Sequence, residues 1–367
     1  MKRIAALFLL LAIPAAFSGC WGKTMEMTPG NEPTVKTAVS PETESKDTMP
    51  SETAPPETQA PETEPEPEEF ILTFAGDCTF GSQMQTYYAG WGFVKTVGED
   101  YGYPFRNVLD YFENDDFTMV NLEGPLCDGG NPVQKKHTFR GPTDYVRILT
   151  ENSVEAVTLA NNHCFDYGEK GYESTLQVLT DAGVSYVEKQ NTMLFTTEGG
   201  LTIGVYAEEY TAMDMELLTA QVAALREQGA ELVVYAVHWG TEYTYGPVSN
   251  QVERAHQAID AGVDIVYGSH PHVLQEVEYY KGKVIFYSLG NFSFGGNIYP
   301  GDMDTALMRQ QVFRLPDGTV ELGELTVIPA CLSSIPDRNN FQPTPYTPGT
   351  EDYDRVLDKL AGKWNGR

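Results

Sequence analysis

Between residues 70 and 267 the chain alternates short apolar runs with longer stretches whose apolar spacing is that of an amphipathic helix. This alternation predicts β-α-β units and a mainly parallel sheet, because parallel strands need a long crossover connection. The predicted strands are residues 70–75, 117–122, 156–160, 201–207, 232–237 and 264–267. The predicted helices are residues 172–182, 215–228 and 252–261. The predicted fold class is therefore α/β.

After residue 272 the pattern changes to β-hairpins. Two turn sequences, KGK at residues 281–283 and PDG at residues 316–318, each connect apolar segments. We therefore expect an antiparallel β half after the α/β half, within one domain. This domain is assigned to residues 70–335, and residues 336–367 are assigned to a C-terminal tail.

The N-terminus has the features of a bacterial export signal. Lys2 and Arg3 precede an apolar run over residues 4–16, which is shorter than the roughly 20 residues that a membrane span needs. The sequence FSGC at residues 17–20 resembles a lipobox, which implies removal of a signal peptide (residues 1–19) and lipidation of Cys20. The alternative is an ordinary secretory signal with a chance cysteine. We expect the mature protein to be extracytoplasmic and lipid-anchored to the outer face of the bacterial cell membrane.

Residues 20–69 form a linker rich in Pro, Glu and Thr. Such a segment has too few apolar side chains to offset the entropy lost on ordering, and its prolines favour extended conformations. We expect a disordered spacer between the anchor and the folded domain.

Charge and cysteine content argue against a nucleic-acid partner and against a zinc knuckle. The chain has 52 Asp and Glu against 24 Lys and Arg, a net charge of −28, which argues against a nucleic-acid partner. The cysteines of the domain, Cys78, Cys127, Cys164 and Cys331, form no C-x-x-C pair, which disfavours a zinc knuckle. Whether they pair as disulfides stays open at this point.

Polar side chains of a restricted set of types follow the predicted strands. Because ligands bind where the carboxyl ends of parallel strands meet, we expect these groups to converge. They are Asp77, Glu123, Asn162, His238, His270 and His272. Taken singly, each could be a helix cap, a turn residue or a hydrogen-bonded core histidine. Together, carboxylate, amide and imidazole at successive strand ends favour one or two divalent ions, Mn²⁺, Zn²⁺ or Fe²⁺.

The order of the motifs GD, NLEGP, NNH, HWG, GSHPHV and SLGNFSF resembles the CapA family of capsule (poly-γ-glutamate) synthesis proteins. That family is related to the calcineurin-like metallophosphoesterases. The resemblance covers about residues 70–332 and includes KHTFRGP at residues 136–142 and NNHCFDYG at residues 161–168. It implies a four-layer α/β/β/α sandwich with a binuclear metal site at the strand ends.

The resemblance assigns the first metal ion to Asp77 and His272, with Glu123 in the bridging position. The usual Asp-x-His of the phosphoesterases is here Asp77-Cys78-Thr79, and the usual bridging Asp is a Glu. Both departures are typical of the CapA-like branch, and they weaken the case for phosphatase activity. Strand alternation should turn Cys78 away from the site. With one imidazole fewer, the first ion is expected to bind less tightly.

The same resemblance assigns the second metal ion to Asn162, His238 and His270. His163 would be the acid that meets a leaving group or a phosphoryl oxygen. Asp166 would orient it, since a partner on the other ring nitrogen fixes the tautomer of a histidine.

Two further residues are candidates for binding substrate. Arg140 could hold an anionic group through paired hydrogen bonds, with a structural salt bridge as the alternative. Asn291 could donate a hydrogen bond to substrate or be a turn residue. We expect Trp239 to pack near the strand ends, and His137 and His256 to lie outside the site.

Three functions remain open at this point. The first is a surface-anchored CapA-like protein in the synthesis, export or retention of an anionic polymer such as poly-γ-glutamate, working with capsule-synthesis membrane proteins. The second is an extracytoplasmic metal-dependent phosphoesterase, and the third is a non-catalytic polymer-binding protein. The complete set of strand-end histidines argues against the third function. The missing Asp-x-His argues against the second.

Overall fold

Two mixed β-sheets form the centre of the structure, a computed structural model that describes residues 66–364. The predicted signal peptide, Cys20 and nearly all of the predicted linker lie outside the described residues. The strands are β1 (Glu68–Thr79), β2 (Phe117–Leu122), β3 (Ala156–Thr158), β4 (Ser185–Val187), β5 (Thr192–Thr196), β6 (Thr202–Glu209), β7 (Leu232–His238), β8 (Ile265–Ser269), β9 (Val277–Tyr280), β10 (Lys283–Phe286), β11 (Asn291–Phe294), β12 (Asp304–Arg314), β13 (Val320–Cys331) and β14 (Thr344–Pro345).

The first sheet has antiparallel strands on one side of its parallel strands, and the second sheet has an antiparallel strand at each edge. The first sheet has the order β14-β13-β12-β1-β2-β3-β4, in which β1 to β4 are parallel, and β11 pairs with β1 outside this order. The second sheet has the order β5-β6-β7-β8-β10-β9, in which β6, β7, β8 and β10 are parallel. The predicted parallel core is therefore confirmed, but it is divided between two sheets.

The described residues contain seven α-helices, of which six lie between strands and the last follows β14. They are α1 (Phe93–Val97), α2 (Leu109–Phe112), α3 (Arg147–Thr150), α4 (Gly168–Ala182), α5 (Met215–Glu227), α6 (Ser249–Asp260) and α7 (Glu351–Leu360). The predicted helices correspond to α4, α5 and α6, and α4 ends at Gly183, whose φ is +72°. Over residues 66–364, the helices are too short or too polar to cross a membrane.

The apolar core has three parts, and these define the layers. Between the sheets, the Phe74 ring of β1 lies 5.4 Å from the Tyr267 ring of β8 and 5.9 Å from the Phe286 ring of β10. A second cluster packs the first sheet against α1 to α4, and a third packs the second sheet against α5 and α6. The fold is thus a four-layer α/β/β/α sandwich, as the family resemblance implied.

The two predicted hairpins both form. The KGK turn connects β9 to β10, with positive φ angles at Lys281 and Gly282, and the PDG turn connects β12 to β13. They do not make an antiparallel half of their own. One hairpin completes the second sheet and the other the first, because each covers an edge that the parallel strands leave open.

The C-terminal residues that the sequence analysis separated as a tail contribute β14 and α7. Lys359 of α7 is 3% exposed, and its ammonium group donates to Asp302 at 2.6 Å and to Asp304 at 2.7 Å. Arg355, one helical turn earlier, also donates to Asp304. These ion pairs fix α7 to the start of β12.

Candidate metal centre

The side chains that the sequence predicts as metal ligands come together where the carboxyl ends of strands from both sheets meet. The first sheet supplies three of them from β1 and from the residues after β2 and β3. The second sheet supplies the other three from β7 and from the residues after β8. The six side chains are Asp77, Glu123, Asn162, His238, His270 and His272. The sequence analysis predicts that these side chains lie at the edge of one sheet, whereas in the structure they come from the strand ends of two sheets.

Glu123 lies in the middle of this group. Its Oε1 atom is 3.8 Å from the Nε2 atom of His163 and 3.9 Å from the Nε2 atoms of His238 and His272. The side chain is fully buried, and neither carboxylate oxygen accepts a hydrogen bond from any described residue. A buried carboxylate without a partner is costly unless it binds a cation. This arrangement fits a bridging metal ligand.

Three ligand-type side chains, Asp77, Glu123 and His272, form what we call the first donor group. One donor atom of each lies within 4.8 Å of the others. The Nε2 atom of His272 is 3.9 Å from Oε1 of Glu123. Atoms that bind one ion at about 2.0–2.2 Å are roughly 3–4 Å from one another. The first donor group therefore has a spacing that one divalent ion can use.

Asn162, His238 and His270 form the second donor group. The Nε2 atom of His238 is 3.0 Å from Oδ1 of Asn162 and 3.0 Å from Nδ1 of His270. Because Asn162 follows β3 and His238 ends β7, this group joins the two sheets. Its donor atoms also have the spacing of ligands to a common ion.

The turn after β8 sends two imidazoles in different directions. His270 has a φ of +98° and His272 a φ of +57°, with Pro271 between them. Non-glycine residues in such conformations cost about 1–3 kcal/mol each, and this cost is typical of functional sites. As a result, the ring of His270 faces the second donor group and the ring of His272 faces the first.

Two asparagines that the sequence analysis did not assign support these donors. The side-chain amide of Asn121 donates to Oδ1 of Asp77 at 2.8 Å, and that of Asn161 donates to Oδ1 of Asn121 at 3.0 Å. Ser269 also supports one of the donors, since its hydroxyl is 2.9 Å from Nδ1 of His238. The available signal was strand alternation, since Asn121 lies two residues before the bridging glutamate.

His163 and Asp166 are paired beside the centre. Nδ1 of His163 is 2.6 Å from Oδ2 of Asp166, and the same oxygen accepts the backbone N–H of Phe139 at 2.7 Å. Lys135 donates to Oδ1 of Asp166 at 3.1 Å. Burial lowers the pKa of His163, although the hydrogen bond to Asp166 opposes this effect. The geometry is the one that an orienting role for Asp166 requires.

Burial and charge shift the pKa values of two side chains in the first donor group, Glu123 and His272. Burial raises the pKa of Glu123 to about 8, with the imidazolium of His272 opposing it and Asp77 adding to it. Burial also opposes the charge on His272, but the carboxylates of Glu123 and Asp77 outweigh it and raise the pKa of His272 to about 9. In the absence of metal, the centre therefore holds protons where an ion would bind.

Comparison with known protein families identifies the family of this chain. Residues 71–296, more than half of the chain, match the family described as bacterial capsule synthesis protein PGA_cap. The chain belongs to the PGA_cap family.

Two relatives of this PGA_cap protein have similar sequences. The capsule biosynthesis protein CapA of Bacillus anthracis is 31% identical over 257 residues, which are 62% of this chain and 61% of that protein. The PGA biosynthesis protein CapA of Bacillus subtilis (strain 168) is 29% identical over 281 residues, 70% of this chain and 71% of that protein. The chain thus spans about three fifths of the length of the first relative.

One solved structure similar to the PGA_cap protein is that of Haemophilus influenzae NAD nucleotidase. It shares 12% sequence identity and a TM-score of 0.41, and the match covers 80% of this chain and 63% of the nucleotidase.

The two candidate substrate-binding residues of the PGA_cap protein differ in their surroundings. The guanidinium of Arg140 lies 4.6 Å from the Tyr87 ring and 5.3 Å from the Tyr167 ring. It forms no salt bridge with residues 66–364, so the structural alternative that the sequence left open is not found there. Asn291 is 3% exposed, and its Oδ1 atom is 2.9 Å from Nδ1 of His272.

Four other residues of the PGA_cap protein lie where the sequence analysis expected them. Cys78 packs in the apolar cluster on the outer face of the first sheet, away from both donor groups. Trp239 is buried and donates to the backbone of the second sheet. His256 bonds to Glu278 on the surface, and His137 is exposed. In the described part of the chain all the cysteines are free, which answers the open disulfide question there.

Half-exposed tyrosines cover the two histidines after β8. The Tyr210 ring lies 5.3 Å from the His270 ring, and the Tyr243 ring lies 6.2 Å from the His272 ring. Tyr210 is 47% exposed and Tyr243 is 56% exposed, so both rings reach solvent beside nearly buried imidazoles. The two rings therefore lie on the solvent-facing side of the centre of the PGA_cap protein.

Proposed function

We propose that this PGA_cap protein acts in the synthesis, export or retention of an anionic capsule polymer such as poly-γ-glutamate. Its family membership supports this role, as do the names of the two Bacillus relatives, which refer to capsule and PGA biosynthesis. In this proposal a lipid on Cys20 anchors the protein to the outer face of the cell membrane. Capsule-synthesis membrane proteins are its expected partners.

The proposed working centre contains one or two divalent ions, Mn²⁺, Zn²⁺ or Fe²⁺. The observation that carries this part of the proposal is the carboxylate of Glu123, which is buried, unpaired and surrounded by three imidazoles. The first and second donor groups would each hold an ion, with Glu123 between them. When bound, such ions polarise a carbonyl or phosphoryl oxygen.

The pairing of His163 with Asp166 supports a reaction at this centre rather than passive binding. With its Nδ1–H donated to Asp166, His163 directs Nε2 toward Glu123 and the space between the donor groups. A histidine held in this way can exchange a proton with a leaving group. We therefore propose hydrolysis or group transfer at an amide or a phosphate ester, with His163 as the proton-handling residue.

A metal-dependent phosphoesterase is the second candidate. The two donor groups and the His163 pair favour it, since phosphoester cleavage uses both. Thr79 argues against it, because it occupies the position of the missing imidazole and its hydroxyl donates to the backbone oxygen of Glu123 at 2.9 Å. A non-catalytic polymer-binding role, the third candidate, would leave the His163–Asp166 pair without a task.

Surface polymer on cells lacking the gene tests the proposed function. Wild-type protein and a His256→Ala variant, which changes a histidine far from the centre, should restore the polymer, and a His163→Ala variant should not. Unchanged polymer on the deletion strain would contradict the capsule role. A parallel phosphodiester screen with added Mn²⁺ addresses the second candidate, which gains support if wild-type protein shows turnover that His163→Ala lacks.

A further inference from the structure

Asn291 is placed at the metal centre by the strand that it begins. β11 runs parallel to β1, and Asn291 is the partner of Asp77 in this pairing. The backbone N–H of Asp77 donates to the carbonyl oxygen of Gly290 at 2.8 Å. The contact is so close that a Cβ atom on Gly76 would lie 2.1 Å from the same oxygen. The position of Asn291 is therefore fixed by backbone contacts on the metal side of β1.

The amide group of Asn291 contacts His272 twice. Its Oδ1 atom is 2.9 Å from Nδ1 of the imidazole, and its Nδ2 group donates to the backbone carbonyl of His272 at 3.3 Å. The second contact fixes the orientation of the amide, because only the nitrogen can donate. The oxygen that faces the ring must then accept, so Nδ1 carries the hydrogen. When the ring is neutral, as it must be to bind a metal ion, the lone pair is therefore on Nε2 of His272, which lies 3.9 Å from Oε1 of Glu123.

We propose that Asn291 is a positioning residue for the first metal ion, which it serves by holding His272 in the tautomer whose Nε2 atom is free to bind metal. Partners on the second ring nitrogen commonly orient metal-binding histidines in this way. This inference rests on the metal centre of the proposed function. It replaces the expectation that Asn291 contacts substrate, because a side chain that is 3% exposed has almost no surface to offer.

The first donor group depends on this support more than the second does. It contains one imidazole, since Asp77-Cys78-Thr79 lacks the histidine of the related phosphoesterases. That imidazole belongs to His272, whose backbone has a strained φ of +57°. A ring in this setting gains from a second anchor, and Asn291 supplies one to both its nitrogen and its backbone.

Titration of metal-free protein with Mn²⁺ tests the inference. Replacing Asn291 by Leu, which has a similar size and no acceptor, should weaken the lower-affinity Mn²⁺ site about 10–100-fold, the range found for such partners. Asn291→Asp keeps an acceptor and should restore most of the affinity. The control is Asn339→Leu, which removes another buried asparagine that bonds to β11 through the carbonyl of Phe294. It should leave Mn²⁺ affinity unchanged.

A double-mutant cycle separates positioning from a general structural effect. If Asn291 acts through His272, then Asn291→Leu adds no further loss of Mn²⁺ affinity in a His272→Ala background. Equal losses in both backgrounds, or unchanged affinity of the single Asn291→Leu variant, would overturn the inference while leaving the metal centre in place. Wild-type protein that takes up no Mn²⁺ would overturn the metal centre itself, and the role of Asn291 with it.

Discussion

Oε1 of Glu123 lies 3.9 Å from Nε2 of His238, so a carboxylate that follows a strand of the first sheet approaches an imidazole that ends a strand of the second. No hydrogen bond joins these two atoms, although both side chains are almost fully buried. Two ligands of one ion have this separation, and two partners in a hydrogen bond do not. We therefore propose that divalent metal links the two sheets at this point.

The metal-free protein should lose stability as the pH rises from about 6 to about 9. In the folded protein the pKa of Glu123 is about 8 and that of His272 is about 9. Their ordinary values, which apply to the unfolded chain, are 4.5 and 6.5. The folded state therefore keeps protons that the unfolded state has released, and raising the pH removes this stabilisation. Urea unfolding at pH 6 and pH 9, in the presence of a chelator, measures it.

The matched variant for this experiment is Glu123→Gln, which cannot ionise. Its stability should fall less between the two pH values than that of the wild type. A metal-free wild-type protein that becomes more stable toward pH 9 would show that folding does not raise the pKa values of Glu123 and His272.

Metal binding should become tighter as the pH rises over the same range. An ion at the first donor group must displace the protons held by Glu123 and His272, so binding releases protons. Calorimetric titration with Mn²⁺ in buffers of different ionisation enthalpy counts these protons directly. Binding without proton release at pH 7 would mean that the two side chains are not ligands.

Asp304→Asn should destabilise the domain by about 3–5 kcal/mol, because it leaves the buried ammonium of Lys359 without one of its two carboxylates. Urea unfolding at neutral pH measures this loss. Asp317→Asn, in the exposed turn between β12 and β13, is the control and should leave the stability nearly unchanged. Equal stability of wild type and Asp304→Asn would show that α7 contributes little to the domain.

The sequence points to the candidate ligands because each lies at or just after the end of an apolar strand. His238 is the last residue of β7, and Asp77 lies near the end of β1. In a parallel arrangement such positions meet at one edge, whatever the details of packing. Apolar runs do not reveal which strands share a sheet, however. Helical crossovers between strands of one sheet look the same in sequence as connections from one sheet to the other.

The supporting side chains could not be assigned because their partners depend on strand register. Asn121 reaches Asp77 only because these two residues are paired between β1 and β2. An asparagine at a strand end is equally compatible with a turn. The helix α7 escaped prediction for a related reason. It contributes only Val356 and Leu360 to the apolar core, and its ion pairs join it to residues of β12 and the turn before it, far away along the chain.

Metal analysis of the purified protein shows whether divalent metal links the two sheets beside Glu123. Wild-type protein exposed to Mn²⁺ or Zn²⁺ and then freed of excess metal should retain at least one ion per chain. The double variant His238→Ala, His270→Ala should lose the ion of the second donor group, and His256→Ala should retain the wild-type content. Wild-type protein that holds no divalent ion under these conditions would show that the two sheets are not linked by metal.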